Sequence, residues 1–156
     1  MHNNEVLLEK FFSAFQQLDA IAMVSCYATD VQFSDPVFPI LQGTEVTDMW
    51  TLLTTKAKDL TLAFDNIHAD DQKGEAHWVA TYQFSQTGRV VVNDIHSSFV
   101  FRNGKIIRQV DHFSLWKWAG QALGTKGILL GWTPMVRNTI QMQAAKNLRN
   151  FRYKRN

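Results

Sequence analysis

The chain has 156 residues and a net charge of +2, with 46% hydrophobic and 19% charged residues, which fits one globular domain with a single core. A single cysteine, Cys26, excludes an internal disulfide and favours a reducing compartment, so we expect a cytoplasmic protein. No run approaches the roughly 18 apolar residues of a membrane span, and we expect no secretion signal.

Charge is distributed unevenly along the chain. Residues 1–111 hold all 14 acidic and 8 of the 16 basic residues, and residues 112–156 hold the other 8 basic residues. A basic end of this kind can meet nucleic acid or an anionic membrane surface, or it can be a solvated helix face that balances acidic groups of its own chain or of a neighbour. The second interpretation is favoured because no nucleic-acid-binding motif accompanies the charge.

The first third of the chain predicts helices with one strand between them. Apolar residues recur at helical spacing from Leu7 to Leu18 and mark an amphipathic first helix. Asp19 suits the N-cap of a short second helix, and Thr44 suits that of a third. Residues 31–34 alternate as a short strand that ends at Asp35, which the following proline keeps out of the helical region.

The middle of the chain changes to a period of two. Four strands are predicted at residues 61–68, 75–86, 89–101 and 105–118. Thr87-Gly88 and Asn103-Gly104 are predicted as two-residue hairpin turns, of which Asn-Gly is the stronger signal. Helices followed by an antiparallel meander indicate an α+β domain. We assign residues 1–118 to its main unit, and residues 119–156 to a Gly-rich connection and a basic amphipathic helix of the same domain.

The register of the two hairpins decides which side chains share a face. With two-residue loops, Val79 faces His96 and His96 faces Asp111. One face then mixes polar and apolar groups, comprising His77, Val79, Thr81, Gln83, Asp94, His96, Ser98, Ile107, Gln109, Asp111 and Phe113. The opposite face is almost wholly apolar and aromatic. Either the aromatic face is the core and the mixed face is wet, or the mixed face lines a pocket under the helices and the aromatic face is a dimer interface.

His96 and Asp111 form the most informative pair in this register. At a Cβ separation of about 4.5–5.5 Å, an aspartate can hold one imidazole tautomer, and the pair can move a proton or donate to an oxyanion. It can also be an ordinary ion pair on a wet surface. Adding His77 would give two imidazoles and one carboxylate for a metal, but His77 is only diagonal to His96, about 7–8 Å away. We therefore expect no metal and no cofactor.

Several short motifs occur in a familiar order. They are Phe11-Phe12-Ser13-Ala14-Phe15, the run from Tyr27 to Val37, Gly43, the run from Asn103 to Ile107, and Asp111-His112-Phe113. Together they resemble the nuclear transport factor 2-like superfamily, and most closely its SnoaL-like polyketide cyclase and ketosteroid isomerase branch. The resemblance implies a cone-shaped half-barrel of curved antiparallel sheet packed on N-terminal helices, here with an extra C-terminal helix.

The resemblance also implies roles for individual residues. Asp35 matches the general base of ketosteroid isomerases, and Asp111 matches the acid/base group of SnoaL-like cyclases. Phe11 and His96 stand where ketosteroid isomerases carry a donor tyrosine and an oxyanion-stabilising aspartate, so true ketosteroid isomerisation is not expected. Because the carried positions fall on the mixed face, the resemblance favours a pocket there.

We therefore predict a site with Asp35, His96 and Asp111 as catalytic groups. The predicted pocket-lining residues are Phe11, Phe15, Tyr27, Trp50, Val79, Thr81, Ser98, Gln109 and Phe113. Two functions remain open: a cofactor-free isomerase, cyclase or hydratase acting on a small apolar carbonyl compound, and a non-catalytic module for ligand binding or dimerisation. We expect a homodimer through the outer sheet face and no nucleic-acid partner.

Overall fold

The computed structural model describes residues 1–155 as an α+β arrangement of helices around one sheet. The helices are α1 (Asn3–Gln16), α2 (Ala20–Val24), α3 (Thr44–Lys56), α4 (Leu115–Leu123), α5 (Thr125–Leu130) and α6 (Pro134–Arg155). The strands are β1 (Tyr27–Ser34), β2 (Leu41–Gln42), β3 (Thr61–Ala69), β4 (Lys73–Gln83), β5 (Val90–Arg102) and β6 (Lys105–His112). The predicted segment 119–156 ends at Asn156, which lies outside the described residues.

The strands form one curved sheet in the order β2-β1-β6-β5-β4-β3. All neighbours are antiparallel except β1 and β6, which are parallel. The aromatic ring of Phe15 on α1 lies 5.1 Å from Trp50 on α3 and 5.3 Å from Trp78 on β4, measured between ring centroids. Such large buried aromatic groups dominate the energetics of a core. The expected fold class, with N-terminal helices packed on a curved sheet, is confirmed.

The segment after β6 differs from the prediction. The last strand ends at His112 rather than at residue 118, and Ser114 Oγ accepts a hydrogen bond from Lys117 N at 3.2 Å as the N-cap of α4. The Gly-rich stretch forms the short helices α4 and α5 instead of a flexible connection. Gly127 is needed where they meet, because a Cβ at that position would overlap the Ala119 carbonyl oxygen.

The hairpin between β4 and β5 has a longer loop than predicted. Phe84 N donates to Arg89 O at 2.8 Å, so the loop spans residues 85–88 and the predicted two-residue turn at Thr87-Gly88 is wrong. The pairing moves by two positions, and His77 rather than Val79 faces His96. Because successive side chains of a strand point to opposite faces, a register shift of two residues leaves each side chain on its predicted face.

The hairpin between β5 and β6 begins as predicted and is then interrupted. Asn103 and Gly104 both have positive φ, 52° and 75°, and Arg102 pairs with Lys105, which confirms the Asn-Gly turn. The register then shifts by one residue, because Phe101 pairs with Ile106 and Val100 with Arg108, which leaves Ile107 of β6 as the bulged residue. Asp111 consequently faces Ser97 rather than His96, and the predicted pairing of His96 with Asp111 is wrong.

The bulge changes which groups lie inside. Trp78 and Ile95 on the aromatic face are buried under the helices, and the shifted phase of β6 brings Asp111 inward to join them. His96 is exposed on the outer face. The expectation that the mixed face lines a pocket under the helices is therefore wrong for β4 and β5, since their aromatic face is the one that the helices cover.

The C-terminal helix α6 returns to the body of the domain. Arg155 Nη1 lies 2.6 Å from Asp48 Oδ1 on α3, and Arg152 Nη1 lies 3.1 Å from Asp48 Oδ2. Gln141 Nε2 donates to Pro36 O at 3.0 Å, which ties the helix to the loop after β1. Part of the basic end thus balances an acidic group of the same chain. Within residues 1–155, no helix has the length and apolarity needed to cross a membrane.

Candidate functional site

A cavity of about 200 Å³ lies between the inner sheet face and helices α1, α3 and α4. Its walls are mainly apolar and include Phe15, Trp50 and Phe113. Two carboxyl groups, Asp35 and Asp111, line the same cavity. Mainly apolar cavities with a few convergent polar groups are typical of small-molecule sites.

Asp111 is held firmly at the inner end of a hydrogen-bond network. Its side chain is 3% exposed, and its Oδ1 accepts from Ser97 Oγ at 2.6 Å and from Gln109 Nε2 at 3.0 Å. Trp78 Nε1 in turn donates to Ser97 Oγ at 2.8 Å. Within residues 1–155 no protein donor forms a hydrogen bond to Oδ2.

The same network continues behind the cavity wall to α3. Trp50 Nε1 donates to Tyr27 Oη at 2.7 Å, and Tyr27 Oη donates to Gln109 Oε1 at 2.6 Å. With its oxygen accepting from Tyr27, the Gln109 amide presents its NH₂ group to Asp111. These linked hydrogen bonds hold Asp111 Oδ1 from two donors and so fix the orientation of its carboxyl group.

Asp35 follows β1 and is held by the turn that it starts. Its Oδ1 accepts from the backbone N–H groups of Val37 at 2.7 Å and Phe38 at 2.6 Å, a common way for aspartate to stabilise a tight loop. The side chain is half-buried at the cavity wall. Its Oδ2 has no protein donor within the described residues, which matches the arrangement at Asp111.

The surroundings of the two carboxyl groups favour their protonated forms. Burial raises the pKa of Asp111 to about 7, against hydrogen bonds from Ser97 and Gln109 that lower it, and the charge of Asp35 raises it further. Burial raises the pKa of Asp35 to about 6, while the Phe38 and Val37 N–H groups lower it. Near neutral pH, Asp111 therefore holds a proton more readily than Asp35 does.

Two further polar residues line the cavity and were missed by sequence reasoning. Tyr82 Oη accepts from Trp118 Nε1 at 2.7 Å, and burial raises the pKa of the phenol, so its own proton stays available for donation. Asn93 is 9% exposed, and its side-chain amide has no hydrogen-bond partner within residues 1–155. The signal for Asn93 was its place on the face of Trp78 and Ile95, where a polar residue must have a partner or a use.

The predicted site residues divide into three groups. Phe15, Trp50 and Phe113 line the cavity together with Asp35 and Asp111. Phe11, Tyr27 and Gln109 are buried behind its wall, and Tyr27 and Gln109 belong to the network. The four residues on the outer sheet face are Val79, Thr81, His96 and Ser98. Those four lie on β4 and β5, and their face was assigned to the pocket because the missed bulge in β6 placed Asp111 on the same face as His96.

A second, larger space adjoins the cavity. A groove of about 550 Å³ lies among α4, α5 and α6, and Val37 and Trp118 line both spaces. Ile140 and Ala144 on α6 form part of its apolar wall, and Lys126 on α5 contributes a charged side chain to the lining. The helices after β6 thus extend the apolar surface available beside the two carboxyl groups.

Comparison with solved structures shows that the fold is shared widely. A putative polyketide cyclase from Xanthomonas campestris is 21% identical, with a TM-score of 0.64, and the match covers 76% of this chain and 96% of that one. A protein of ketosteroid isomerase-like fold from Catenulispora acidiphila, in complex with trimethylamine, is 14% identical, with a TM-score of 0.67 and coverage of 82% and 97%. A putative hydroxylase from Streptomyces galilaeus is 14% identical, with a TM-score of 0.63 and coverage of 81% and 96%. At these identities the likeness shows the fold alone.

Sequence comparison identifies the family. No curated protein sequence matches the chain. The sequence model of the SnoaL-like domain matches residues 8–109, which run from α1 into β6 and stop short of α4, α5 and α6. The match covers well over half of the 156 residues, and the chain belongs to the SnoaL-like domain family.

Proposed function

We propose that the protein is a cofactor-free acid/base enzyme that acts on a small apolar carbonyl compound. The observation that carries the proposal is the pair of carboxyl groups, Asp35 and Asp111, on one mainly apolar cavity. Each has one oxygen held by the protein and one oxygen free, and burial raises their pKa values to about 6 and about 7, toward the neutral pH at which a general acid or base works best. One protein of similar structure is a putative polyketide cyclase, which fits carbonyl chemistry.

The two pKa values suggest how the roles are divided. Asp35, with the lower value, is the base, and its free Oδ2 takes a proton from the carbon next to the carbonyl group. Protonated Asp111 donates from its Oδ2 to the carbonyl oxygen. As the C–H bond breaks, its electrons form a carbon–carbon double bond, and the carbonyl π electrons move to the oxygen that receives the proton. The product of this step is an enol, the shared intermediate of isomerisation and of cyclisation by attack on a second carbonyl group.

Other residues would bind and orient the substrate. The unpartnered Asn93 amide and the Tyr82 hydroxyl offer further donors to polar substituents, and Phe15, Trp50 and Phe113 enclose the apolar part. A cavity of about 200 Å³ is small, since ligand sites commonly measure roughly 300–1,000 Å³. The adjoining groove among α4, α5 and α6 would hold the rest of a longer substrate.

Enolisation can be tested without knowing the final product. We would incubate the protein in D₂O with a panel of apolar cyclic ketones and β-diketones and follow deuterium incorporation next to the carbonyl group by NMR. Catalysed exchange is expected with at least one member. It should fall by about 100-fold or more in Asp35→Asn, because general base catalysis typically contributes 10²–10⁴-fold.

The matched control is His96→Ala, which removes a predicted catalytic group that lies on the outer face. Exchange at the wild-type rate is expected in this variant. A rate in Asp35→Asn and Asp111→Asn equal to wild type would contradict the assignment. Exchange lost in His96→Ala but kept in the two aspartate variants would place the chemistry elsewhere.

The second candidate is a non-catalytic binding module. It is favoured by the structural use of Asp35 Oδ1 in its own turn and by Phe11, which has no donor group, at the position of a donor tyrosine in the resembling enzymes. The same ketone panel separates the two candidates. Thermal stabilisation by a ligand, without deuterium exchange into any panel member, would assign the module and reject the enzyme.

A further inference from the structure

A row of three histidines crosses the outer face of the sheet, opposite the cavity. His77 on β4 faces His96 on β5, and His96 faces His112 on β6. Asp65 on β3 faces His77 at the other end of the row. Directly opposed side chains share a face and lie close together, so the register alone gathers these groups on one exposed patch.

His77, Asp94 and His96 come closest together within this row. The His77 and His96 ring centroids are 4.8 Å apart with an interplanar angle of 31°, and Asp94 Oδ1 lies 2.7 Å from His77 Nε2. The potential ligand atoms of the three residues all lie within 4.8 Å of one another. Two imidazoles and one carboxylate are a common ligand set for divalent transition metals.

Little movement would be needed to close this triad around an ion. Ligand atoms at about 2.0–2.1 Å from a tetrahedral zinc ion lie roughly 3.3 Å apart. His96 is exposed and the Asp94 side chain is 69% exposed. Both side chains can therefore rotate to bring their ligand atoms closer together without disturbing the core. The fourth position would face solvent and could be taken by water.

Asp65 provides the carboxylate that usually forms a hydrogen bond with the non-ligating nitrogen of a metal-binding histidine. Its Oδ1 lies 2.7 Å from His77 Nδ1, which directs the other nitrogen, Nε2, toward Asp94 and His96. A carboxylate behind a histidine fixes the ring and the tautomer and raises the basicity of the ligating nitrogen. Asp65 and Asp94 could also form ion pairs with a protonated His77 in the absence of metal. A measurement of metal binding distinguishes an ion-paired histidine from a metal ligand.

We propose that His77, Asp94 and His96 bind a divalent transition metal of the zinc class on the outer sheet face, with Asp65 as a positioning residue. The sequence had favoured no metal because its register put Asp111 beside His96 and left His77 diagonal. The observed register brings His77 directly opposite His96 and replaces Asp111 by Asp94. The site is separate from the cavity and independent of the proposed enzymatic function.

The test uses the full chain after removal of metal by a chelator. Zn²⁺ is titrated against a chromophoric indicator, and Co²⁺ is titrated while its visible absorption band reports tetrahedral coordination by nitrogen and oxygen. One ion per chain is expected. Affinity should fall by about tenfold or more in His96→Ala and in His77→Ala, and by about tenfold in Asp65→Asn. His68→Ala, which removes an exposed imidazole on the strand that carries Asp65, is the matched control and should bind as wild type does.

The exposed position of His96 keeps the test valid even if a variant at the more buried His77 folds poorly. Circular dichroism would confirm the fold of each protein before titration. Absence of stoichiometric Zn²⁺ binding by the wild-type chain would overturn the proposal. So would equal Zn²⁺ affinities in the wild type and His96→Ala, because the ion would then be bound at another place.

Discussion

Replacing Asp111 by asparagine should make the protein less sensitive to alkaline pH. Asparagine has the same shape, and its Oδ1 can still accept from Ser97 and Gln109, but it carries no ionisable proton. Burial raises the pKa of the folded Asp111 to about 7, above its ordinary value of 3.8. Protonation of a group with a raised pKa stabilises the fold, so this contribution is complete below about pH 3.8 and is lost as pH rises through about 7.

The size of the effect follows from the two pKa values. The interval from 3.8 to about 7, at about 1.4 kcal/mol for each tenfold change in proton affinity, corresponds to about 4 kcal/mol when Asp111 is fully ionised. About 2–3 kcal/mol of this falls between about pH 5 and about pH 8. Other titrating groups are present in both proteins, so their contributions largely cancel in the comparison.

The assay is urea unfolding of the wild type and of Asp111→Asn at about pH 5 and at about pH 8. The wild type should lose about 2–3 kcal/mol more unfolding free energy than the variant between about pH 5 and about pH 8. Asp71→Asn, at a side chain that is 94% exposed, is the matched control and should follow the wild type. Equal losses in wild type and Asp111→Asn would refute the reasoning, because Asp111 would then titrate as an ordinary exposed carboxyl group.

Three further changes test the network, the helix contact and the groove. Tyr27→Phe leaves the Trp50 indole N–H and the Gln109 carbonyl oxygen without their buried partner, and it should lower the unfolding free energy by about 2 kcal/mol or more in a urea titration. Tyr153→Phe, at a residue that is 86% exposed, is the control and should have no effect. Gly127→Ala forces a methyl group against the Ala119 carbonyl and should cost about 1–3 kcal/mol, measured by thermal and urea unfolding; unchanged stability would mean that α4 and α5 do not meet as described. Ala144→Trp fills the groove among α4, α5 and α6, and it should weaken binding of a long-chain alkyl ketone by about tenfold or more. Binding of a small cyclic ketone should be unaffected. Equal losses of affinity for both ketones in calorimetric titration would argue against an extended ligand site.

The order and type of most elements could be predicted from the sequence, because periodicity is a local property. Apolar spacing identified α1, the N-cap at Asp19 identified α2, and the period of two identified β3, β4 and β5 within a few residues and the start of β6. The short helices α4 and α5 were missed because glycine is a poor helix former. Here Gly127 is required by close contact with Ala119, which no local pattern reveals.

The candidate site was less predictable because it depends on strand register. One bulged residue, Ile107, between the Asn103-Gly104 turn and Asp111 turned the carboxyl group to the inner face, opposite the face that carries His96. Nothing in the local sequence marks that bulge. A register shift of one residue moves every later side chain of β6 to the opposite face of the sheet. Asp35 was singled out from the sequence as a carboxylate fixed by a proline, and the structure brings it to the cavity that Asp111 lines.

The most direct test of the central claim is a measurement of the two carboxyl pKa values. Aspartate labelled with ¹³C at the side-chain carboxyl carbon allows each group to be followed by NMR across a pH series, with Asp35→Asn and Asp111→Asn providing the assignments. The account predicts midpoints of about 6 for Asp35 and about 7 for Asp111. Midpoints for both groups near the ordinary value of 3.8 would contradict it, since neither carboxyl could then serve as an acid at neutral pH.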